Sequence, residues 1–441
     1  MKRYFQSYQV SQNMLNIINQ LQFKQPTEIQ HRVIPSALRN ENIIGQSQTG
    51  TGKTHAYLIP LIDQLNLEDQ SVQKMIIAPT RELAMQIFHE VKKMMDFTEE
   101  GQFSARLVIG GTDKERELQK FSKQPHVIVG TPGRILDFIN ENAINPSTVN
   151  SVVIDEADLL IDLGLIEEVD QILGRMYEDV QTLVFSATIP KKLQPFLKKY
   201  LINPNYIVID DESYNKNLEH RLIPRRHRNA AELIIESTKL IHPYIALIFV
   251  NKKEHADELR EELLNKGLEA GIIHGGLKPR ERKRVLNDLR NLKFQYIVAT
   301  DLAARGIDIP GVSHVFNAEF PQDVETYTHR VGRTARAGNK GTAVTFYDEK
   351  DLPLIEKLEE TGIEFHNFDI KNGEWAPVKE WNVREKRKEH ENELEKEAWK
   401  KVRKRKKIKP GYKKKMKQEK EQIKKQLKRE KFKKMNKGRR K

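Results

Sequence analysis

Short apolar runs rich in β-branched residues alternate with longer amphipathic stretches from residue 43 to residue 346. Strands that are apolar throughout and separated by helices are typical of a parallel sheet covered on both faces. A polar segment without periodicity at 210–217 separates two such series, which predicts two α/β units joined by a linker. The predicted strands are 43–44, 75–78, 107–109, 127–129, 152–154, 183–185, 245–250, 271–273, 296–298, 312–316 and 343–346.

Length and charge divide the chain further. Its 441 residues exceed one ordinary hydrophobic core, and the β pattern stops near Lys371. The net charge is +14, yet residues 371–441 hold 31 Lys and Arg against 11 Asp and Glu, so the remainder has 45 against 51. We therefore expect domains at 1–209 and 218–370, and a basic, disordered extension at 371–441 that binds a polyanion. A merely solvated tail is the alternative.

Cysteine is absent from the sequence. Neither disulfides nor thiolate-bound zinc can hold the fold, which fits a reducing compartment. The N-terminal residues lack an apolar leader, and no run of about 18 apolar residues occurs. We expect a cytoplasmic protein with no membrane partner and no disulfide-linked partner.

A glycine-rich loop at 47–54 follows the first predicted strand and precedes a predicted helix at 55–65. Gly50 and Gly52 allow backbone N–H groups to surround a polyphosphate, Lys53 can reach its β and γ oxygens, and Thr54 can hold Mg²⁺. Ser47 stands where the general fingerprint has Gly. The loop predicts nucleotide binding, and an ordinary glycine-rich turn is the alternative.

Polar clusters at 79–82, 110–111, 130–134, 155–158 and 186–188 each follow a predicted strand directly, so they should line one edge of the sheet. Asp155 can hold Mg²⁺, partly through water, and Glu156 can polarise an attacking water. In the second unit, Arg333 and Arg336 are spaced to lie on one side of a helical turn, where they can act as arginine fingers.

These motifs, together with 79–86, 299–308 and 329–336, make residues 3–370 resemble the DEAD-box RNA helicases. The resemblance implies an α/β fold of two tandem RecA-like parallel-sheet domains, with ATP and Mg²⁺ as cofactors and RNA as partner. It implies an RNA-stimulated ATPase that unwinds short duplexes when ATP closes the two domains. Ser47 stands where this family usually has Ala.

The resemblance also assigns residues. For the nucleotide, it implies an adenine-reading motif at about 3–31 with Phe5 and Gln30, a ribose contact at Asp308, and the loop residues Ser47, Gln48, Thr49, Gly50, Thr51, Gly52, Lys53 and Thr54. For catalysis, it implies Asp155, Glu156, Arg333 and Arg336, while Ser186 and Thr188 couple hydrolysis to strand separation.

RNA contacts implied by the resemblance lie on loops beyond the strands and need not read sequence. They are Pro79, Arg81, Gly111, Thr131, Gly133 and Arg134 in the first domain, and Arg282 and Thr300 in the second. Gln22 and Ala335 stand where the family usually has Gly. Pro279 stands where the family usually has Gln, three residues before Arg282, so the resemblance does not carry that one RNA contact over to the second domain.

The basic end makes the chain more similar to the bacterial cold-shock members of that family. This resemblance implies structured or ribosomal RNA as substrate, work with the ribosome or the RNA-degradation machinery, and a role in ribosome assembly, RNA turnover or cold adaptation. Two other readings use the same residues. One is an ATP-timed RNA clamp or RNA–protein remodeller, and the other is a DNA helicase.

Overall fold

The computed structural model describes residues 4–48, 50–98, 103–111, 113–209, 217–304, 309, 311–335, 339–379, 420–423 and 425–426. All but residue 217 of the predicted linker, and most of the predicted tail, lie outside these ranges. Within them, none of the helices has both the length and the apolar character needed to cross a membrane. The strands up to Tyr347 and the helices up to Glu360 belong to one compact unit.

The first sheet is parallel, and its strands are neighbours in the order β3-β4-β2-β5-β6-β1-β7. They are β1 (Ile43–Gln46), β2 (Lys74–Ile77), β3 (Ala105–Val108), β4 (Val127–Gly130), β5 (Ser151–Ile154), β6 (Gln181–Ser186) and β7 (Asn205–Val208).

Helices precede and connect these strands and cover both faces of the sheet. They are Gln12–Gln20, Glu28–Leu38, Lys53–Asp63, Arg81–Asp96, Lys114–Gln119, Pro132–Asn140, Ala157–Asp162, Ile166–Leu173 and Gln194–Tyr200. Local sequence fixes several helix starts: the Thr80 hydroxyl accepts a hydrogen bond from the Leu83 N–H at 3.2 Å, and Ser11 caps its helix in the same way. Ile76 and Val153 pack on one face of the sheet, and Ile77 and Ile154 on the other.

The second sheet has parallel neighbours in the order β10-β11-β9-β12-β13-β8. They are β8 (Leu218–Pro224), β9 (Ile245–Val250), β10 (Ala270–Ile273), β11 (Tyr296–Thr300), β12 (Val312–Asn317) and β13 (Gly341–Tyr347). The accompanying helices are Ala230–Thr238, Lys253–Asn265, Pro279–Arg290, Asp301–Ala304, Val324–Val331 and Leu352–Glu360. Two α/β sheet domains are therefore present, as the sequence predicts.

Every predicted apolar run overlaps a strand, whereas several strands have no counterpart among the predictions. These are β7, β8, and two further strands at Phe365–Lys371 and Glu374–Pro377. Their residues are only partly buried, and polar side chains interrupt their apolar positions, so the continuous apolar signal is missing. The sequence predicts that the β pattern ends near Lys371, whereas the strand Glu374–Pro377 lies beyond that point.

Gln22 and Ala335 both have left-handed backbone conformations, with φ of 60° and 56°. These are the two positions where the resembling family usually has Gly. Glycine has no Cβ and adopts positive φ without steric cost, whereas other residues there are strained by about 1–2 kcal/mol. At both positions the departure from the family pattern therefore places a side chain in a strained backbone conformation.

Gln22→Gly should raise the free energy of unfolding by up to about 1 kcal/mol, because relief of strain exceeds the entropy that glycine adds to the unfolded chain. Urea unfolding at neutral pH measures the change. Gln20→Gly is the matched control, since Gln20 is the last residue of the helix Gln12–Gln20 and glycine should lower stability there. Equal destabilisation by both substitutions would contradict the assignment of strain to Gln22.

Candidate nucleotide and RNA site

The carboxyl ends of three adjacent strands bring the predicted catalytic motifs together. Ile44 of β1 and Ile154 of β5 are both in register with Val184 of β6. The glycine-rich loop, the acidic motif and the Ser186 motif follow these three strands at the same level. The predicted clustering at one sheet edge is therefore present in the structure.

The glycine-rich loop curls back toward its own start. Gly50 and Gly52 have φ of 85° and 99°, which only glycine adopts readily. The Lys53 side chain is 6% exposed, and its Nζ donates a hydrogen bond to the Ser47 carbonyl at 2.9 Å. The Thr51 hydroxyl donates to the Gln48 carbonyl at 2.9 Å. Backbone N–H groups at the start of the helix Lys53–Asp63 make this loop suited to bind an anion.

Gln30 lies against this loop, with both ends of its side-chain amide engaged. Its Oε1 accepts a hydrogen bond from the Thr27 N–H at 3.0 Å, and its Nε2 donates to the Gly52 carbonyl at 3.2 Å. The predicted adenine-reading residue is thus adjacent to the phosphate-binding loop. Phe5 is 3% exposed and packs edge-to-face on Tyr8, so it is a core residue in this structure.

Asp155 is buried at the end of β5, next to the phosphate loop. Its Oδ2 accepts a hydrogen bond from the Tyr57 hydroxyl at 2.9 Å, and its Oδ1 accepts from the Glu156 N–H at 2.9 Å. Burial and then the neighbouring charge of Glu156 raise the pKa of Asp155 to about 6, although Lys53 and Tyr57 oppose the rise.

Glu156 adopts a left-handed conformation with φ of 49°, and its Oε1 lies 3.7 Å from the Lys53 Nζ. Non-glycine residues seldom take this conformation, and such strain is concentrated at functional sites. The carboxylate is therefore held beside the loop predicted to bind phosphate, which suits a base that orients water.

Asp158 joins the acidic motif to the Ser186 motif. Its Oδ2 accepts hydrogen bonds from the Thr188 N–H at 3.0 Å and the Thr188 hydroxyl at 3.1 Å, while Ser186 Oγ accepts from the Asp158 N–H. His329 of the second domain has its Nε2 3.4 Å from the same Oδ2. Burial favours the neutral acid, but the His329 contact holds the pKa of Asp158 well below its usual range.

Two arginines of the stretch 329–336 have different surroundings. Arg333 lines a small pocket together with residues of the first domain, including Gln48 and Glu156. Arg330 is buried within the second domain and donates hydrogen bonds to both oxygens of Asp301, at 2.5 and 2.8 Å, and to Asn251 at 2.6 Å. Arg333 thus lies near the predicted catalytic acids, whereas Arg330 fastens its own domain together.

The predicted RNA contacts of the first domain follow β2, β3 and β4, which are neighbours in the sheet. Pro79 and Arg81 flank the start of the helix Arg81–Asp96, and a Cβ on Gly111 would collide with the Arg81 guanidinium. The remaining three, Thr131, Gly133 and Arg134, lie at the start of the helix Pro132–Asn140, with Thr131 as its N-cap. These residues form one group at the sheet edge, beside the catalytic group.

In the second domain, Thr300 ends β11, and Arg282 donates a hydrogen bond to the Ala303 carbonyl at 2.9 Å. Arg282 Nε also lies 2.7 Å from Glu82 Oε1 of the first domain. Arg282 therefore lies at the domain boundary. Three predicted site residues, Thr49, Asp308 and Arg336, lie outside the described residues.

The donor set fits Mg²⁺. Magnesium binds oxygen ligands, typically one or two carboxylates completed by phosphates and water. Asp155 provides a buried carboxylate beside the phosphate loop, and Thr54 provides a hydroxyl at the start of the adjoining helix. Across the described part of the chain, no group of three His, Cys, Asp or Glu side chains could hold a metal by itself. When bound, Mg²⁺ would take its remaining ligands from phosphate oxygens and water.

Sequence reasoning assigned no role to Tyr57, Asp158 or His329, although each contacts the site. Asp158 and His329 lie within the motifs 155–158 and 329–336. Their closeness in sequence to the predicted catalytic residues is the signal that could have identified them. Tyr57 lies within an apolar helical stretch and resembles any core aromatic. Only the fold brings its hydroxyl to Asp155.

The chain matches two family descriptions. "DEAD/DEAH box helicase" matches residues 27–196, and "Helicase conserved C-terminal domain" matches residues 229–338. Each match falls on one of the two sheet domains.

Among curated proteins, the chain is 48% identical over 390 residues to the DEAD-box ATP-dependent RNA helicase CshB of Bacillus subtilis, covering 88% of this chain and 89% of that protein. Its identity to the CshB of Staphylococcus aureus is 44%, covering 89% and 88%. The solved structure of S. cerevisiae Dbp5 bound to RNA and ADP BeF3 superposes with a TM-score of 0.74 at 31% identity, covering 84% of this chain and 97% of that one. These findings agree with the resemblance that the motifs indicate.

Tyr57→Phe should lower the free energy of unfolding by about 1–3 kcal/mol at pH 8 without Mg²⁺, because it removes a hydrogen bond to a buried ionised carboxylate. The folded pKa of Asp155 lies above its ordinary value, so ionised Asp155 lowers stability above pH 6, and protonation relieves this as pH falls from about 6 to about 4.

The difference between the variant and the wild type should therefore shrink below pH 6, which urea unfolding across pH 5–8 measures. Tyr177→Phe is the matched control, because Tyr177 is 63% exposed. A difference that is constant across this range would contradict the link between Tyr57 and the charge of Asp155.

Proposed function

Because the chain belongs to the DEAD-box ATP-dependent RNA helicases, we propose that ATP closes its two RecA-like domains around RNA through the residues described above. The observation that carries this proposal is the convergence of both domains on the acidic motif. His329 contacts Asp158, and Arg333 lines a pocket with Glu156. Residues of the second domain thus complete a site built by the first.

For hydrolysis, Lys53 would bind the β and γ phosphate oxygens and Glu156 would orient the attacking water. Thr54 and Asp155 would hold Mg²⁺, which neutralises phosphate charge when bound. Arg333 would stabilise the negative charge that develops in the transition state. Lys53 is 3.7 Å from Glu156 in this structure, so binding of phosphate would replace an internal ion pair.

Gln30 would read the adenine edge, because a side-chain amide can both donate and accept a hydrogen bond. It would first exchange its bonds with Thr27 and Gly52. Phe5 would take part by fixing the segment that carries Gln30, since its ring is buried. Asp308, Arg336 and Thr49 keep the ribose, finger and loop roles that the resemblance implies.

RNA would bind across the ends of β2, β3, β4 and β11. Arg81, Arg134 and Arg282 would contact phosphates, while Pro79, Gly111, Thr131, Gly133 and Thr300 would bring backbone and hydroxyl groups close to the strand. The solved structure of Dbp5 supports this choice of partner, because that protein is bound to RNA in it. Such contacts do not read sequence, so the site would accept many RNAs.

For the cell, we propose structured or ribosomal RNA as substrate, and a cytoplasmic role in ribosome assembly, RNA turnover or cold adaptation alongside the ribosome or the RNA-degradation machinery. The bacterial relatives and the basic extension support this assignment. Sequencing of RNA crosslinked to the protein in cells identifies the substrate. Crosslinks spread over messenger RNAs without ribosomal RNA would contradict the ribosomal assignment.

Glu156→Gln should retain binding of ATP and RNA but lower RNA-stimulated turnover by about 10² or more, because the amide keeps the shape and loses the base. Steady-state phosphate release with saturating RNA measures the loss. Glu167→Gln is the control, because Glu167 is an exposed residue of the helix that follows the acidic motif. Turnover at the wild-type rate in Glu156→Gln would remove Glu156 from the role of base.

Deletion after Trp399 should flatten the salt dependence of RNA affinity by several units, since each neutralised phosphate of a single strand contributes a slope of about 0.7. Residues 401–441 hold 23 basic residues and 3 acidic ones, with Tyr412 and Phe432 as their aromatics, so sequence preference should be unchanged. Titration of full-length and truncated protein at two salt concentrations tests this. Identical slopes would direct the search to a different acidic partner.

A further inference from the structure

His55 immediately follows the phosphate-loop residues Lys53 and Thr54, and the roles assigned above do not use it. Its Nε2 lies 3.4 Å from Glu90 Oε2, and the two side chains are 14% and 25% exposed. Its ring also packs edge-to-face on Phe23, with centroids 4.7 Å apart and planes at 82°. His55 therefore contacts two other segments of the chain while being covalently next to the phosphate loop.

Those two segments lie next to the residues predicted to contact adenine and RNA. Phe23 precedes the segment that holds Gln30, and Glu90 belongs to the helix Arg81–Asp96. That helix begins with Arg81 and with Glu82, whose carboxylate is 2.7 Å from Arg282 of the second domain. One helix thus joins the RNA side and the domain boundary to His55.

A helix transmits displacement well because its backbone hydrogen bonds make it stiff. Glu90 lies nine residues after Arg81, or roughly 13 Å along the axis at about 1.5 Å per residue. The His55 contact at 3.4 Å lowers the pKa of Glu90 to about 2 despite burial, with a smaller contribution from Lys93. The Glu90 carboxylate is therefore charged at neutral pH and lies beside the His55 ring nitrogen.

We propose that His55 is a positioning residue, through which RNA bound at the start of the helix Arg81–Asp96 orients the phosphate-binding residues Lys53 and Thr54. The contact with Glu90 transmits the position of that helix to the helix Lys53–Asp63. This inference rests on the proposed function, because it assumes that RNA contacts Arg81 and that phosphate contacts Lys53.

The decisive quantity is the coupling between the two ligands, measured as RNA affinity with ADP–beryllium fluoride and Mg²⁺ divided by RNA affinity without nucleotide. His55→Phe keeps the aromatic contact with Phe23 and removes the polar contact with Glu90. It should lower this ratio about fivefold or more, in the range usual for allosteric coupling. Glu90→Gln, which keeps the shape and is remote from the phosphate loop, should lower the ratio similarly.

The double variant separates transmission from local damage. If His55 and Glu90 act through one contact, His55→Phe with Glu90→Gln should lower the ratio no further than either single substitution. Lys93→Ala is the matched control, since Lys93 Nζ is the other partner of Glu90, at 2.7 Å, and is 44% exposed. That variant should keep the wild-type ratio.

Each outcome is informative. A wild-type ratio near one would overturn the proposed ATP-driven closure on RNA, and the role of His55 with it. A large wild-type ratio that His55→Phe and Glu90→Gln leave within twofold would overturn the role of His55 alone. Additive losses in the double variant would also overturn it, because the two residues would then act independently.

Discussion

Two carboxylates buried three residues apart, Asp155 and Asp158, determine most of what surrounds them. An ionised carboxylate in the protein interior costs several kcal/mol unless partners compensate it. Asp155 has Lys53 and Tyr57 nearby, and Asp158 has Thr188 and His329. These partners come from the phosphate loop and its helix, from the loop after β6 and from the second domain, so compensating two charges draws all four elements together.

The pKa values of Asp155 and Asp158 are shifted in opposite directions because the two carboxylates have different partners. Burial raises the pKa of Asp155 to about 6. This rise indicates that partners within the protein compensate the charge of Asp155 only weakly. The pKa of Asp158 is held well below its usual range despite burial, because His329 approaches its Oδ2, with smaller contributions from Lys53 and from the Thr188 N–H that donates to the same oxygen. A carboxylate short of positive charge is suited to a cation, and a fully paired one is suited to holding structure.

The sequence predicted the buried strands because apolar runs such as 152–154 and 245–250 have no polar interruptions. It could not predict β8, where three consecutive polar residues interrupt the apolar ones, or Glu374–Pro377, where one side chain in four is charged. The spacing of the motifs predicted that Lys53, Asp155 and Arg333 serve one site. The contacts of Tyr57 and His55 depend on which helices pack together, and no local pattern records that.

Arg330 has a consequence for how the second domain meets the first. Its guanidinium is tied to Asp301, Asn251 and the Glu319 carbonyl, which immobilises the end of the helix Val324–Val331. Arg333 lies three residues after Arg330, so its backbone position is fixed when the second domain folds. The conformational entropy of ordering this turn is then lost during folding, and domain approach has only to align two preorganised surfaces.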